Sequence, residues 1–195
     1  MFQKATLSWQ SNGDFLACRL ERSTKTKKTT YPSLELFRMR EKNIPIEVVE
    51  LRAPMVHFAW EPSGDRFIVV TSEPANKMGV HIYKMEPIVG GKPGQVKLIK
   101  SLDRKSVNQV FWSPKGRFAV FAGLKSFSGD LEFFDTDELA TLNTGEHYTA
   151  TDVEWDPTGR YVVSSVSFWR HAVPFFFFYS LSHRSAQTYL MCDLE

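Results

Sequence analysis

The 195-residue sequence has two cysteines, no long apolar run and a formal net charge of only +2. Cys18 and Cys192 are far apart and form no Cys-x-x-Cys pair, which argues against a disulfide framework or a zinc cluster and is typical of a reducing compartment. The longest apolar run, residues 172–179, is much shorter than the about 20 residues that span a bilayer, and the start of the sequence has no apolar stretch of signal-peptide length. We therefore expect a cytoplasmic protein with no membrane contact.

The sequence is rich in aromatic residues, which make up 14% of it and include 16 Phe and 5 Trp. Aromatic and β-branched residues favour strands, whereas the Ala, Leu, Glu and Lys content of a helix-rich chain is missing. The composition predicts an all-β fold.

A tryptophan-centred segment occurs four times, with the tryptophans 43 to 52 residues apart. Glycine follows each tryptophan by four residues, and in three segments proline follows it by two. The motif residues are Trp9 and Gly13; Trp60, Pro62 and Gly64; Trp112, Pro114 and Gly116; and Trp155, Pro157 and Gly159. Because proline presets the φ of a turn and glycine tolerates positive φ, each segment predicts a hairpin whose first strand ends at tryptophan.

An aromatic residue opens the second strand of each predicted hairpin. Phe15, Phe118 and Tyr161 follow their tryptophans by six residues, and we expect them to pair with tryptophan across the two strands. Phe67 follows Trp60 by seven, which predicts a bulge or a longer turn in the second repeat.

Two further apolar segments follow each of the first three hairpins, which gives four strands per repeat and indicates a β-propeller of the WD-repeat type. Kelch repeats would show a Gly-Gly pair in every blade, but Gly90-Gly91 is a single pair. We expect three blades over residues 5–51, 56–102 and 107–143 and half a blade over 149–171. Blades at the ends of such an open arc expose apolar faces that favour pairing with another chain.

The sequence resembles the propeller region of the B-subunit family of eukaryotic translation initiation factor 3. The resemblance covers about residues 3–171. It is carried by FRMREKNIPIEVVE (37–50), FAWEPSGDRF (58–67), VFWSPKGRFAVFAGLKSFSGDLEFFD (110–135) and GEHYTATDVEWDPTGRYV (145–162). The propeller of translation initiation factor 2A has a similar blade plan and is the first alternative; a propeller interaction module unrelated to translation is the second.

The resemblance implies a fragment of a scaffold that is not an enzyme and needs no cofactor. The implied partners are other initiation factor 3 subunits and the small ribosomal subunit, through ribosomal proteins and rRNA, with mRNA engaged indirectly. The implied role is in preinitiation complex assembly and mRNA recruitment. The sequence lacks the family's RNA-recognition domain.

The tail, residues 172–195, departs from the family pattern. It reads PFFFFYSLSHRSAQTYLMCDLE from residue 174 onward. A run of four Phe is what a pyrimidine-rich nucleotide tract encodes, so we hypothesise that this end is non-native, either a translated intron or an alternative splice product.

Two basic segments are candidate contacts for RNA or a protein partner. Arg22, Lys25, Lys27 and Lys28 lie between the second and third strands of the first blade, where flexible cations on a loop could bind phosphates. The alternative is a solvated loop.

The second basic segment alternates cations with other residues. Arg38, Arg40 and Lys42 are spaced by two and would share one face of a strand. Such a basic edge could receive an acidic segment or rRNA, although charge that protects a strand edge is the favoured explanation.

His147 and Asp152 flank the fourth hairpin and are expected to bond each other and fix a loop, as in WD-repeat blades. A hydrolase using Ser164, Ser165 or Ser167 is the alternative, but the sequence has no Gly-x-Ser-x-Gly elbow. No histidine pair has metal-ligand spacing, so no metal site is expected. The four tryptophans could stack bases, but their repeated register favours packing between blades.

Overall fold

In the computed structural model, residues 2–23, 30–88, 94–166, 176–182 and 185–191 are described, and they form four antiparallel four-stranded sheets. Each sheet is built from four strands that follow one another in the chain, so the predicted all-β propeller architecture is confirmed. Within these ranges, no helix is long and apolar enough to cross a membrane.

The four sheets are called blades 1 to 4, in chain order. Blade 1 contains β1 Phe2–Trp9, β2 Phe15–Ser23, β3 Thr30–Arg38 and β4 Ile46–Glu50. Blade 2 contains β5 Met55–Trp60, β6 Arg66–Glu73, β7 Lys77–Met85 and β8 Val96–Lys105, with a short 3-10 turn Pro74–Asn76 before β7. Blade 3 contains β9 Gln109–Trp112, β10 Phe118–Ala122, β11 Asp130–Asp135 and β12 Ala140–Glu146. Blade 4 contains β13 Asp152–Trp155, β14 Tyr161–Ser165, β15 Phe176–Ser182 and β16 Ser185–Met191.

All four tryptophan hairpins have the same register. The residue paired with tryptophan is always seven positions later: Leu16, Phe67, Ala119 and Val162. The predicted bulge or longer turn after Trp60 is therefore wrong. The irregularity in β5 lies at its other end, between Met55 and His57.

The aromatic residues six positions after tryptophan do not pair with it across the hairpin, contrary to expectation. Successive side chains of a strand point to opposite faces, so this position faces the next blade. Phe15 stacks on Trp60 of blade 2, with ring centroids 5.9 Å apart. In blade 2 the position holds Arg66, whose guanidinium lies over Trp112 of blade 3, 5.8 Å from the ring centroid. A cation in place of an aromatic residue explains why the second repeat looked irregular.

Three of the four turn glycines have the positive φ that the motif predicts, and one does not. Gly13, Gly116 and Gly159 have φ of 72°, 75° and 72°. The φ of Gly64 is not positive. Glycine is favoured there for a different reason, because a Cβ would overlap the carboxylate of Glu61.

The indole nitrogens of the tryptophans tie each blade to the one before it. Nε1 of Trp60 donates to the carbonyl of Ser8 at 3.0 Å. The equivalent bonds run from Trp112 to Ala59 at 3.2 Å and from Trp155 to Phe111 at 3.0 Å. In each case the acceptor is the residue immediately before the tryptophan of the preceding blade.

The hydrophobic core consists of three layers between neighbouring blades. Phe67 and Val69 of β6 pack toward blade 1, whereas Ile68 and Val70 pack toward blade 3. A third layer, which includes Phe133 and Val162, lies between blades 3 and 4. The central strands have continuous apolar runs because neighbouring blades cover both of their faces.

Blade 4 is a complete sheet, which corrects the expected half blade. The Phe-rich segment forms β15, which pairs with β14 from Ser165↔Phe176 to Tyr161↔Ser180, and β16 then pairs with β15. Tyr179 is buried and its ring centroid lies 4.8 Å from that of Phe133 in blade 3. The described part of the tail, residues 176–182 and 185–191, thus forms two strands where an unmatched end was expected, because its apolar residues suit a strand covered by a neighbouring blade.

Replacing Trp112 by alanine is expected to lower the free energy of unfolding by roughly 3–5 kcal/mol, because its side chain is only 8% exposed and fills the layer between blades 2 and 3. Trp9→Ala is the matched control, since Trp9 is 56% exposed and should cost less than about 1 kcal/mol. Urea unfolding of both variants measures the difference; equal losses would contradict the packing role.

Candidate interaction surfaces

The strand directions put every connection of the described blades on one of two faces. The turn face carries the hairpin turns after each tryptophan and the connections from third to fourth strands. The crossover face carries the connections from second to third strands and those between blades. Because the strands alternate in direction, these assignments hold for all four blades.

The two predicted basic segments belong to opposite faces. Arg22 lies near the end of β2, at the crossover face, and Lys25, Lys27 and Lys28 lie outside the described residues. Arg38, Arg40 and Lys42 are instead at the turn face. The sequence could not show this separation because it depends on strand pairing.

The expected basic strand edge at residues 38–42 is wrong, because β3 ends at Arg38. Arg38 is only 2% exposed: its Nε donates to Glu47 at 2.7 Å and its Nη1 to Glu41 at 3.4 Å. Glu47 also accepts a hydrogen bond from the backbone of Val96 in blade 2. Arg38 therefore holds blades 1 and 2 together.

Arg40 and Lys42 are exposed in the connection between β3 and β4. Arg40 donates to the Asp14 carboxylate at 3.1 Å, and its side chain is 71% exposed. Both cations are accessible to a partner at the turn face.

The hairpin turns form a hydrogen-bonded row along the turn face. Nε2 of Gln10 donates to the carbonyl of Gly64 at 2.9 Å, and the Ser63 hydroxyl donates to the carbonyl of Lys115 at 3.1 Å. The backbone N–H of Arg117 donates to the Glu61 carboxylate at 3.3 Å. The turns of blades 2 and 3 are thus each positioned by the turn before them.

A network of charged side chains crosses from blade 2 to blade 3 beneath the turns. Arg66 donates to Glu61 at 2.6 and 2.8 Å and to Asp137 at 2.6 Å. Burial alone would lower the pKa of Arg66, but its hydrogen bonds to Glu61 and Asp137 outweigh this and raise it. Burial alone would raise the pKa of the fully buried Asp135, but the hydrogen bond that Arg117 donates to it lowers this pKa. The charges are paired internally, so they fix how blades 2 and 3 meet.

His147 bonds Ser164 instead of Asp152, contrary to expectation. Its Nδ1 lies 2.7 Å from the Ser164 hydroxyl, and the ring packs edge-on against Phe177, with centroids 4.4 Å apart. Asp152 is exposed and its carboxylate accepts from the Val153 backbone. Burial lowers the pKa of His147.

The arrangement around His147 does not have the geometry of a hydrolase. Ser164 is fully buried, so a substrate cannot reach its hydroxyl, and the Asp152 carboxylate does not hold the imidazole. Ser165 pairs with Asp152 in the sheet, and Ser167 lies outside the described residues. The contact fixes the connection between blades 3 and 4 to β14.

The cleft beside the first strands of the blades has no acid–base pair among its described lining residues. It has a volume of about 510 Å³ and is lined by all four repeat tryptophans, other apolar residues, Ser8 and Ser11, and a single carboxylate, that of Glu154. In the described ranges, no three or more His, Cys, Asp or Glu side chains come together as metal ligands.

The crossover face carries exposed cations that the sequence analysis missed. Arg52, Lys77, Arg104 and Lys125 each lie at or beside the end of a strand, on the same face as the end of β2. They are far apart in the chain, and only the blade arrangement brings them to one face. These cations could have been found from the sequence by marking the residues at the strand ends that the repeat predicts.

Known protein families and proteins match most of this chain. The family model described as "Eukaryotic translation initiation factor eIF2A" matches residues 1–185. The B subunit of eukaryotic translation initiation factor 3 from Xenopus laevis is 46% identical over 167 residues, which cover 86% of this chain and 23% of that protein. The B subunit from Nicotiana tabacum is 48% identical over 162 residues, 82% of this chain and 22% of that protein. The chain spans about a quarter of the length of these relatives.

Solved structures show the same fold at low sequence identity. A crystal structure described as that of the eukaryotic initiation factor matches with a TM-score of 0.58 at 13% identity, covering 97% of this chain and 57% of that chain. The β-propeller domain of the Trilobed protease from Pyrococcus furiosus matches with a TM-score of 0.61 at 14% identity, covering 95% and 57%. These likenesses support the propeller architecture alone.

Replacing Arg66 by alanine should lower the free energy of unfolding by about 3–5 kcal/mol, because it leaves the buried Glu61 carboxylate without its partner. Arg40→Ala removes an exposed ion pair with Asp14 and should change it by less than about 1 kcal/mol. Chemical unfolding of the two variants gives the comparison; a small effect of Arg66→Ala would contradict the structural role of the network.

Stability should depend on pH through His147. Because burial lowers its pKa in the folded chain, the unfolded chain binds a proton more readily, and the free energy of unfolding falls as the pH drops below about 6.5. In His147→Gln this dependence should become shallower, while His57 and His81, whose pKa values burial also lowers, retain the rest. Urea unfolding between pH 8 and about 5 measures both slopes; unchanged slopes would refute the assignment.

Proposed function

Because the chain belongs to the B-subunit family of eukaryotic translation initiation factor 3, as relatives 46% and 48% identical to it show, and also matches the family model described as eIF2A, we propose that it acts as a non-catalytic scaffold in translation initiation. It would bind other initiation factor 3 subunits and the small ribosomal subunit in the cytoplasm during preinitiation complex assembly and mRNA recruitment. The observation that carries this proposal is the 46% identity to the Xenopus laevis protein over 86% of this chain.

The crossover face supports a contact with rRNA. Binding of phosphates needs accessible cations, and this face carries the four exposed cations named above together with the end of β2, after which Lys25, Lys27 and Lys28 follow in the sequence. Tyr148 is exposed on the same face, where its ring can stack on an unpaired base. Glu73 and Asp103 lie among these cations, so the contact would be of moderate strength and sensitive to salt.

The turn face supports a protein contact. Arg40 and Lys42 lie in the connection between β3 and β4, on the same face as the hydrogen-bonded hairpin turns, and an acidic segment of another initiation factor protein would meet them there. Arg38 is not proposed as a contact, since its guanidinium is buried within the chain.

A scaffold of the initiation factor 2A type is the second candidate, favoured by the match to that family model over residues 1–185. The two candidates differ in their partners. Affinity purification of the tagged chain should recover other initiation factor 3 subunits if it derives from the B subunit of that factor. Recovery of ribosomal subunits without those proteins would favour the 2A type. Recovery of neither the subunits nor those proteins would favour a module unrelated to translation.

Replacing Lys25, Lys27 and Lys28 by alanine should weaken binding to small ribosomal subunits and reduce the slope of log K against log salt by about 2 to 3. The control replaces three exposed lysines away from the crossover face, Lys84, Lys97 and Lys115. Co-sedimentation across a salt series measures the slope. A slope that is unchanged in the first variant, or reduced equally in both, would refute the crossover-face contact.

A further inference from the structure

We draw no further inference here: the strongest candidate, the cavity of about 610 Å³ between the turns of blades 1 and 2 with the buried Arg38 in its wall, carries nothing, because the carboxylates in that wall already pair with cations of this chain and nothing in the structure shows what covers it.

Discussion

The hydrogen bond from each tryptophan indole to the carbonyl before the preceding tryptophan is the constraint on which the arc depends. An indole N–H withdrawn from water needs an acceptor, and the three bonds share one constant offset between neighbouring sheets. At the first two of these interfaces the residue six positions after the earlier tryptophan, Phe15 or Arg66, lies over the next indole. One repeated bond thus accompanies a repeated placement of the blades.

Charged residues strengthen this apolar framework where it opens toward the turns. Glu61, Arg66, Asp135 and Arg117 are wholly or largely withdrawn from water, but each has a partner of opposite charge and further hydrogen bonds. Such a pair contributes little more to the free energy of unfolding than apolar residues of the same size would. Removing one partner is costly, however, because the other charge is left buried, so few alternative arrangements are possible. They therefore fix how blades 2 and 3 meet. Arg38 and Glu47 act in the same way between blades 1 and 2.

The bonds between blades lie within the framework, so the turn face and the crossover face are left free for binding. The turn face is ordered by bonds between turns, whereas the crossover face carries exposed cations and the exposed ring of Tyr148. An array with chemically different faces fits the proposed scaffold role, in which one face would bind nucleic acid and the other protein. The internal pairing of His147 with Ser164 fits the same description, since it joins blades and does not reach solvent.

The sequence alone determined the all-β propeller and the position of each hairpin, because the spacing of tryptophan and glycine reports local turn geometry. It misjudged Phe67, Arg38 and His147, whose partners depend on how strands pair and pack: Phe67 lies directly opposite Trp60, Arg38 is buried beside Glu47 of the next strand, and His147 meets Ser164. It also set aside the Phe-rich tail, whose apolar residues fit a strand only once blade 3 offers a surface to cover it. Local patterns fix turns and strands, but burial, charge pairing and the face on which a loop lies depend on which sheets become neighbours, and only the tertiary structure decides that.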